Sequence, residues 1–304
     1  MTTIKNYFGI TGAVPFVDVK VETDNRMFLD PRRVRLAQQP HPHARNARLC
    51  LNTFFTTIAS CVMSSNPADQ HRGLDLLQHF GEPRETRLGM SRAGIDGHGG
   101  AGKIGRAIWD ALSGPELAPL WQVGIMHEVE TIPLFVTGVD KDITSDLTTR
   151  IIFGPLIDFT AEVVANFPQF KTHPHGLVTV ERPIWDPKLR GWVQKRVELP
   201  VAAGQPLVLV PAEWAASTLL MSSGRYHDTA ILGWVQDKQS VLRNGKVLKT
   251  PKHELRRQPG LGRGRRTDIS WTLRALEEDE YDLLGRFTAW VDSKYNSRNQ
   301  GEAA

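Results

Sequence analysis

Strand-like alternation is confined to two stretches that lie far apart in this chain, residues 14–30 and 177–210, and most of the sequence between them is patterned for helix. Residues 14–22 (VPFVDVKVE) alternate apolar and polar side chains, so they read as a half-buried strand. Met27-Phe28-Leu29 reads as a second strand that must stop at Asp30-Pro31, because proline cannot extend a ladder. Residues 177–180, 192–199 and 207–210 read as three more, separated by Pro/Gly turns. Between Arg45 and Met63, Ala47, Cys50, Leu51, Phe54, Ile58, Cys61 and Val62 recur at the spacing of an amphipathic helix. Asn66-Pro67 opens another helix through about Phe80, with Asn66 as its cap and Pro67 in its first turn.

Further helices are predicted over residues 106–112, 116–130, 146–167, 228–243, 251–257 and 277–295. Thr144 or Ser145 is the expected cap of the third, and Gly154-Pro155 should split it. A buried strand is expected at 132–137 and a short one within 84–96. This irregular interleaving predicts a mixed α/β or α+β fold, helix-rich, with a small central sheet and a basic helical C-terminal extension. The expected division is a main domain over 1–242, with a basic segment and C-terminal helix over 243–304 packed on it. At 304 residues and 40% hydrophobic, the chain is long enough and apolar enough to bury a core without staples, which excludes wholesale disorder.

Two cysteines, Cys50 and Cys61, allow neither a disulfide framework nor a four-cysteine zinc site, and both suit a reducing cytoplasm. The first twenty residues hold no apolar run of signal-peptide length, and the longest run elsewhere, 206–211 (PLVLVP), is far below the ~20 residues of a membrane span. A cytoplasmic protein with no membrane partner is expected.

The formal charge of +4 conceals its distribution. Residues 243–266 carry nine basic side chains against Glu254 alone, a local +8, so the remainder is near −4. Lys252, Arg256, Arg257, Arg263, Arg265 and Arg266 are the candidates for gripping phosphates, since the arginine fork matches phosphate oxygens, and Trp271 just beyond is placed to stack on a base. The ordinary alternative is a solvated loop that balances acidic neighbours such as Glu277-Glu278-Asp279-Glu280.

Gly97-His98-Gly99-Gly100-Ala101-Gly102-Lys103 fits both G-x-x-x-x-G-K and G-x-G-x-x-G. Gly97, Gly99, Gly100, Gly102 and Lys103 are thus candidate phosphate-binding residues, through backbone N–H groups and one ammonium. Ile104 stands where a nucleotide-hydrolysing loop needs a hydroxyl for Mg²⁺, which argues against that class. Asp140, Asp142 and Asp146, after the expected strand at 132–137, form a carboxylate set suited to Mg²⁺ or Mn²⁺. With Asp30 at another strand end they would serve two-metal phosphodiester cleavage, Asp30, Asp140 and Asp146 as catalytic groups. Turn formation and helix capping are what the same residues do in most chains. His-Pro-His occurs at 41–43 and 173–175, where residues two apart share a side. No nucleophile elbow or paired-histidine zinc helix is present.

The leading expectation is an intracellular protein of bacterial type that holds or cleaves nucleic acid, as a metal-dependent phosphodiesterase or nuclease. Two alternatives stand beside it. One is a non-catalytic nucleic-acid-binding or assembly component, with a protein partner or homo-oligomer open; the other is a nucleotide or phosphate sensor using residues 97–103.

Overall fold

The computed structural model describes residues 1–89 and 99–302. It is a helix-rich α+β fold, as expected, and among the described residues its strands form three small antiparallel sheets of two, three and two strands. The chain divides into two compact units. The first comprises Met1–Asp110 and Val139–Leu219, the second Ala111–Gly138 and the chain from Leu220.

In the first unit the predicted long helix runs His43–Met63 and buries Ala47, Cys50, Leu51, Phe54, Phe55, Ile58 and Cys61. The Pro67–Leu77 helix follows, and the Asn66 side chain accepts from the Ala68 N–H as predicted. A third helix, Gly99–Leu112, approaches this one so closely that glycine is obligatory twice. A Cβ at Gly73 would stand 2.2 Å from the Trp109 ring, and one at Gly105 would stand 2.0 Å from the Leu77 carbonyl oxygen.

The strands predicted near 177 and 192 form one long hairpin, Leu177–Asp186 with Gly191–Ala202, registered from Leu177↔Pro200 to Asp186↔Gly191. Trp185 and Trp192 lie against Phe54 at ring distances of 5.0 and 6.0 Å. The Trp185 Nε1–H donates to Thr53 Oγ1, so both the apolar and the polar part of the indole are satisfied. Glu85 is buried between Arg182 (2.6 Å) and Arg150 (3.5 Å). Burial pushes its carboxyl up, but the Arg150 charge and the Arg182 hydrogen bond outweigh that and hold it below the usual range.

Three expected strands are otherwise. Among the described residues, 14–22 make only isolated bridges, Phe16↔Pro211 and Thr3↔Lys20; Val19 and Val21 are buried as the alternation required, and Phe16 is buried out of phase with them. Residues 207–210 are buried but form no strand of their own: the Leu207 N–H donates to the Pro200 carbonyl of the Gly191–Ala202 strand, that of Val208 to the Glu85 carbonyl, and that of Leu209 to Thr160 Oγ1. The run at 132–137 is helical over Ile132–Phe135, because an apolar run buried on all sides suits helix and strand alike and Pro133 fits a helix's first turn. The segment from residue 84 begins with a 3-10 turn, Arg84–Thr86, and the part of it beyond Gly89 lies outside the described residues up to 98.

In the second unit, Tyr226 is fully buried between Phe135 and Phe287, at ring distances of 5.7 and 5.2 Å. The expected helix over 228–243 ends at Lys238; before it the backbone makes a π-helical turn, His227–Ile231. The expected helix over 277–295 is interrupted: its first residues end the Arg265–Asp279 helix, most of which was not expected, and the rest belongs to Leu283–Glu302. Glu280 takes a left-handed conformation between them (φ 52°), closing the first. Among the described residues no helix is long and apolar enough to cross a membrane.

Candidate nucleic-acid interface

The basic segment is organised around one carboxylate. Asp228, in the π-helical turn, is met by Arg256 Nη2 at 2.8 Å and Arg263 Nη2 at 2.5 Å, while its backbone carbonyl accepts from Lys252 Nζ at 2.6 Å. Burial raises the Asp228 carboxyl, but the hydrogen bond and charge of Arg263 and the charge of Arg256 outweigh it and keep the group ionised below the usual carboxylate range. Arg265 donates from Nε to the Val136 carbonyl (3.4 Å), and Arg266, largely exposed, pairs with Glu116 at 3.0 Å. Arg257 is exposed and has no ion-pair partner among the described residues. The Trp271 indole N–H, expected to lie beside a base, donates to the Gly260 carbonyl at 2.7 Å. The second unit as a whole carries fifteen Lys and Arg against fourteen Asp and Glu, so its acids balance most of the segment's surplus.

The part of the segment left unbalanced is an element missing from the sequence expectations. Val241–Arg243 and Lys246–Leu248 pair as a two-stranded hairpin, with Asn244 (φ 51°) and Gly245 (φ 75°) at the turn. Asn-Gly between two apolar-containing runs is the strongest short hairpin signal, because both turn positions require positive φ. That signal was present in the sequence and marks the two cations beside it. Arg243 stands directly opposite Lys246. Both are exposed, and neither has an acidic partner among the described residues. Lys249, by contrast, is held by Asp237.

Next to Asp228 in sequence, His227 Nδ1 meets Asp268 Oδ1 at 2.8 Å with both side chains 1% exposed. His227 Nε2 and Asp268 Oδ2 are buried without a hydrogen-bond partner among the described residues. Burial pushes the Asp268 carboxyl up, against the opposing pull of His227 and Arg265. Tyr226 bonds Thr272 alongside at 2.7 Å.

Of the carboxylates expected to hold Mg²⁺ or Mn²⁺, Asp140 is placed as a helix cap, as is Asp30, the acid expected to join them. Asp140, not Thr144 or Ser145, caps the Lys141–Ile151 helix, accepting from the N–H groups of Asp142 (3.0 Å) and Ile143 (3.1 Å). Asp30 caps the Pro31–Leu36 helix by accepting from Arg32 N at 2.9 Å. The structure does bring their elements together, since the Leu29 N–H donates to Ser145 Oγ at 2.9 Å. Asp142 is buried in the first turn, and Asp146, half-buried one turn on, contributes its charge to the surroundings of Arg150. Among the described residues no group of three or more His, Cys, Asp and Glu side chains is arranged to hold a metal.

Of the glycine motif, Gly97 lies outside the described residues, while Gly99, Gly100, Gly102 and Lys103 fall within the first turns of the Gly99–Leu112 helix. Lys103 is on an exposed face. His43 bonds Glu162 at 2.8 Å, and the His173 and His175 rings stack against Tyr7 at 4.7 and 6.3 Å.

The family model described as "Domain of unknown function (DUF8370)" matches residues 10–223, and the chain belongs to that family. The match ends close to Leu219, where the first unit closes, and the 243–266 segment lies beyond it. No curated protein and no solved structure matches the chain.

Proposed function

We propose that this protein associates with nucleic acid through the exposed cations of residues 243–266, as a binding or assembly component rather than as a nuclease. The observation that carries this reading is the Arg243–Lys246 rung. Like charges directly opposite each other weaken a two-stranded ladder, and a phosphate between them would relieve the repulsion. Arg257, also exposed, supplies a further phosphate contact. The cap roles of Asp30 and Asp140 weigh against metal-assisted cleavage, since each carboxylate already accepts backbone N–H groups.

The test is binding of fluorescein-labelled nucleic acid to the full chain, with Mg²⁺ or Mn²⁺ present and the probe recovered intact. Salt-sensitive binding that weakens in Arg243→Ala/Lys246→Ala supports the reading. Binding indifferent to those residues overturns it. Cleavage lost in Asp140→Ala would restore the hydrolytic reading.

A further inference from the structure

The Val241–Leu248 hairpin is exposed on both faces. Its register, Val241↔Leu248, Leu242↔Val247 and Arg243↔Lys246, puts Leu242 and Val247 on one side and the other four residues on the opposite side. All six strand residues are exposed, with Val241 at 59%, Leu242 at 75%, Val247 at 59% and Leu248 at 47%. A lone two-stranded hairpin is marginal in water, and one that packs neither face on its own unit gains least from being there. Four large apolar side chains held out in this way point to a partner that covers both faces at once.

We propose that this hairpin enters the major groove of B-form duplex DNA as a two-stranded ribbon. The inference rests on the nucleic-acid reading above and adds which nucleic acid, and how it is held. A groove has two walls, so it covers both faces of an inserted ribbon, whereas a flat protein surface covers one. Two strands ~4.8 Å apart and three residues deep, about 10 Å, match a groove ~12 Å wide and ~8.5 Å deep. The B-form minor groove, ~6 Å wide, is too narrow, and the A-form major groove of duplex RNA is closed to side chains. In this placement Arg243 and Lys246, at the leading tip, meet the acceptor edges and phosphates, which neutralises the repulsive rung. Leu242 and Val247, one residue behind the tip, reach the base edges at the groove floor and suit apolar contact with thymine methyl groups there. A protein partner would have to supply both an apolar cleft and paired acids; the duplex supplies charge on both sides of the ribbon.

The experiment uses the full chain, with fluorescence anisotropy on a 20-base-pair DNA duplex, the RNA duplex of the same sequence and the single DNA strand. The variants are Leu242→Ser/Val247→Ser, which keeps every cation, and Arg243→Ala/Lys246→Ala. All four side chains are exposed, so circular dichroism should show unchanged melting. The expected result is DNA duplex bound about tenfold or more tighter than RNA duplex, with the serine variant losing roughly fivefold or more on DNA duplex alone. Guanine N7 should also be protected from dimethyl sulfate methylation. Equal affinity for the two duplexes, unprotected N7, or an unaffected serine variant overturns the groove placement and leaves nucleic-acid binding standing. Salt-insensitive or absent binding to all three probes overturns both. Loss of self-association in the serine variant, by light scattering, with duplex binding unchanged would assign the hairpin to a second copy of the chain and overturn the groove placement.

Discussion

Two glycines three residues apart in the Gly99–Leu112 helix should respond to the same substitution with opposite sign. Gly102 has nothing among the described residues within 4 Å of where a Cβ would stand, while a Cβ at Gly105 would lie 2.0 Å from the Leu77 carbonyl oxygen and 2.6 Å from its carbon. Gly102→Ala should therefore show the bare gain in helix propensity, about 1 kcal/mol. Gly105→Ala collects the same gain but drives a methyl group into the backbone of the neighbouring helix. Restoring ordinary contact means moving that helix by more than 1 Å, and overpacking of this kind costs about 1–3 kcal/mol, here at the upper end because backbone cannot rotate away. The net loss is about 2 kcal/mol. For a unit of this size each kcal/mol moves the melting temperature by about 2–4 °C, so Gly102→Ala should melt about 2–4 °C higher than the parent and Gly105→Ala about 4–8 °C lower. Thermal unfolding followed by circular dichroism at 222 nm reads both. Stabilisation by Gly105→Ala would refute the packing argument, and destabilisation by Gly102→Ala would show that its backbone is held for another purpose, as a phosphate cradle requires.

Glu85→Ala should destabilise the first unit by about 3–5 kcal/mol in urea, because it strands Arg150 in the interior, and Glu85→Gln by less. As the Glu85 carboxyl is held below its unfolded value, its contribution is present above ~4.3 and is lost as pH falls through the folded value. That pH dependence should vanish in Glu85→Gln. Asp268 behaves in the reverse sense: its carboxyl is raised by burial, so the stability linked to it is present below ~3.9 and lost as pH rises through the folded value. Asp268→Asn should then cost less than Asp268→Ala, which leaves the His227 ring unpaired, a difference of about 1–3 kcal/mol by chemical denaturation. Burial pushes the Cys50 thiol up to about 12 and raises Cys61 as well, so a thiol titration at pH 8 should find no fast-reacting group in the folded protein and two in urea. Asp140→Ala should cost about 0.5–2 kcal/mol as the loss of a cap, with no change on adding Mg²⁺.

Long periodic segments were legible from sequence, and the His43–Met63 helix and the Asn66 cap stand where the spacing put them. The long hairpin also stands where two strands were expected, at 177–180 and 192–199, though its first strand runs on to Asp186. What failed was short and apolar. Ile132–Phe135 is buried on every side, so no polar residue reveals its period, and residues 14–22 alternate in burial without a partner strand long enough to form a ladder. The spacing predicts a final helix over 277–295, but the structure ends one helix at Asp279 and starts the next at Leu283, because Glu280 takes the left-handed turn usually given to glycine; the helical stretch over 265–276 is absent from the sequence expectations. Among the candidate site residues, charge concentration in 243–266 was visible, but its use was not. That Asp228 takes up Arg256 and Arg263, and leaves the hairpin tip without an acid, depends on contacts between residues 28 and 35 positions apart.

The most direct test of nucleic-acid association is the salt dependence of DNA-duplex affinity, measured for the parent and for Arg243→Ala/Lys246→Ala between 50 and 300 mM salt. Each phosphate contact contributes about 0.9 to the slope of log affinity against log salt, so removing both tip cations should make the slope shallower by about 2 and weaken binding at every concentration. Parallel lines of equal affinity would contradict the account, since Arg243 and Lys246 would then be bystanders.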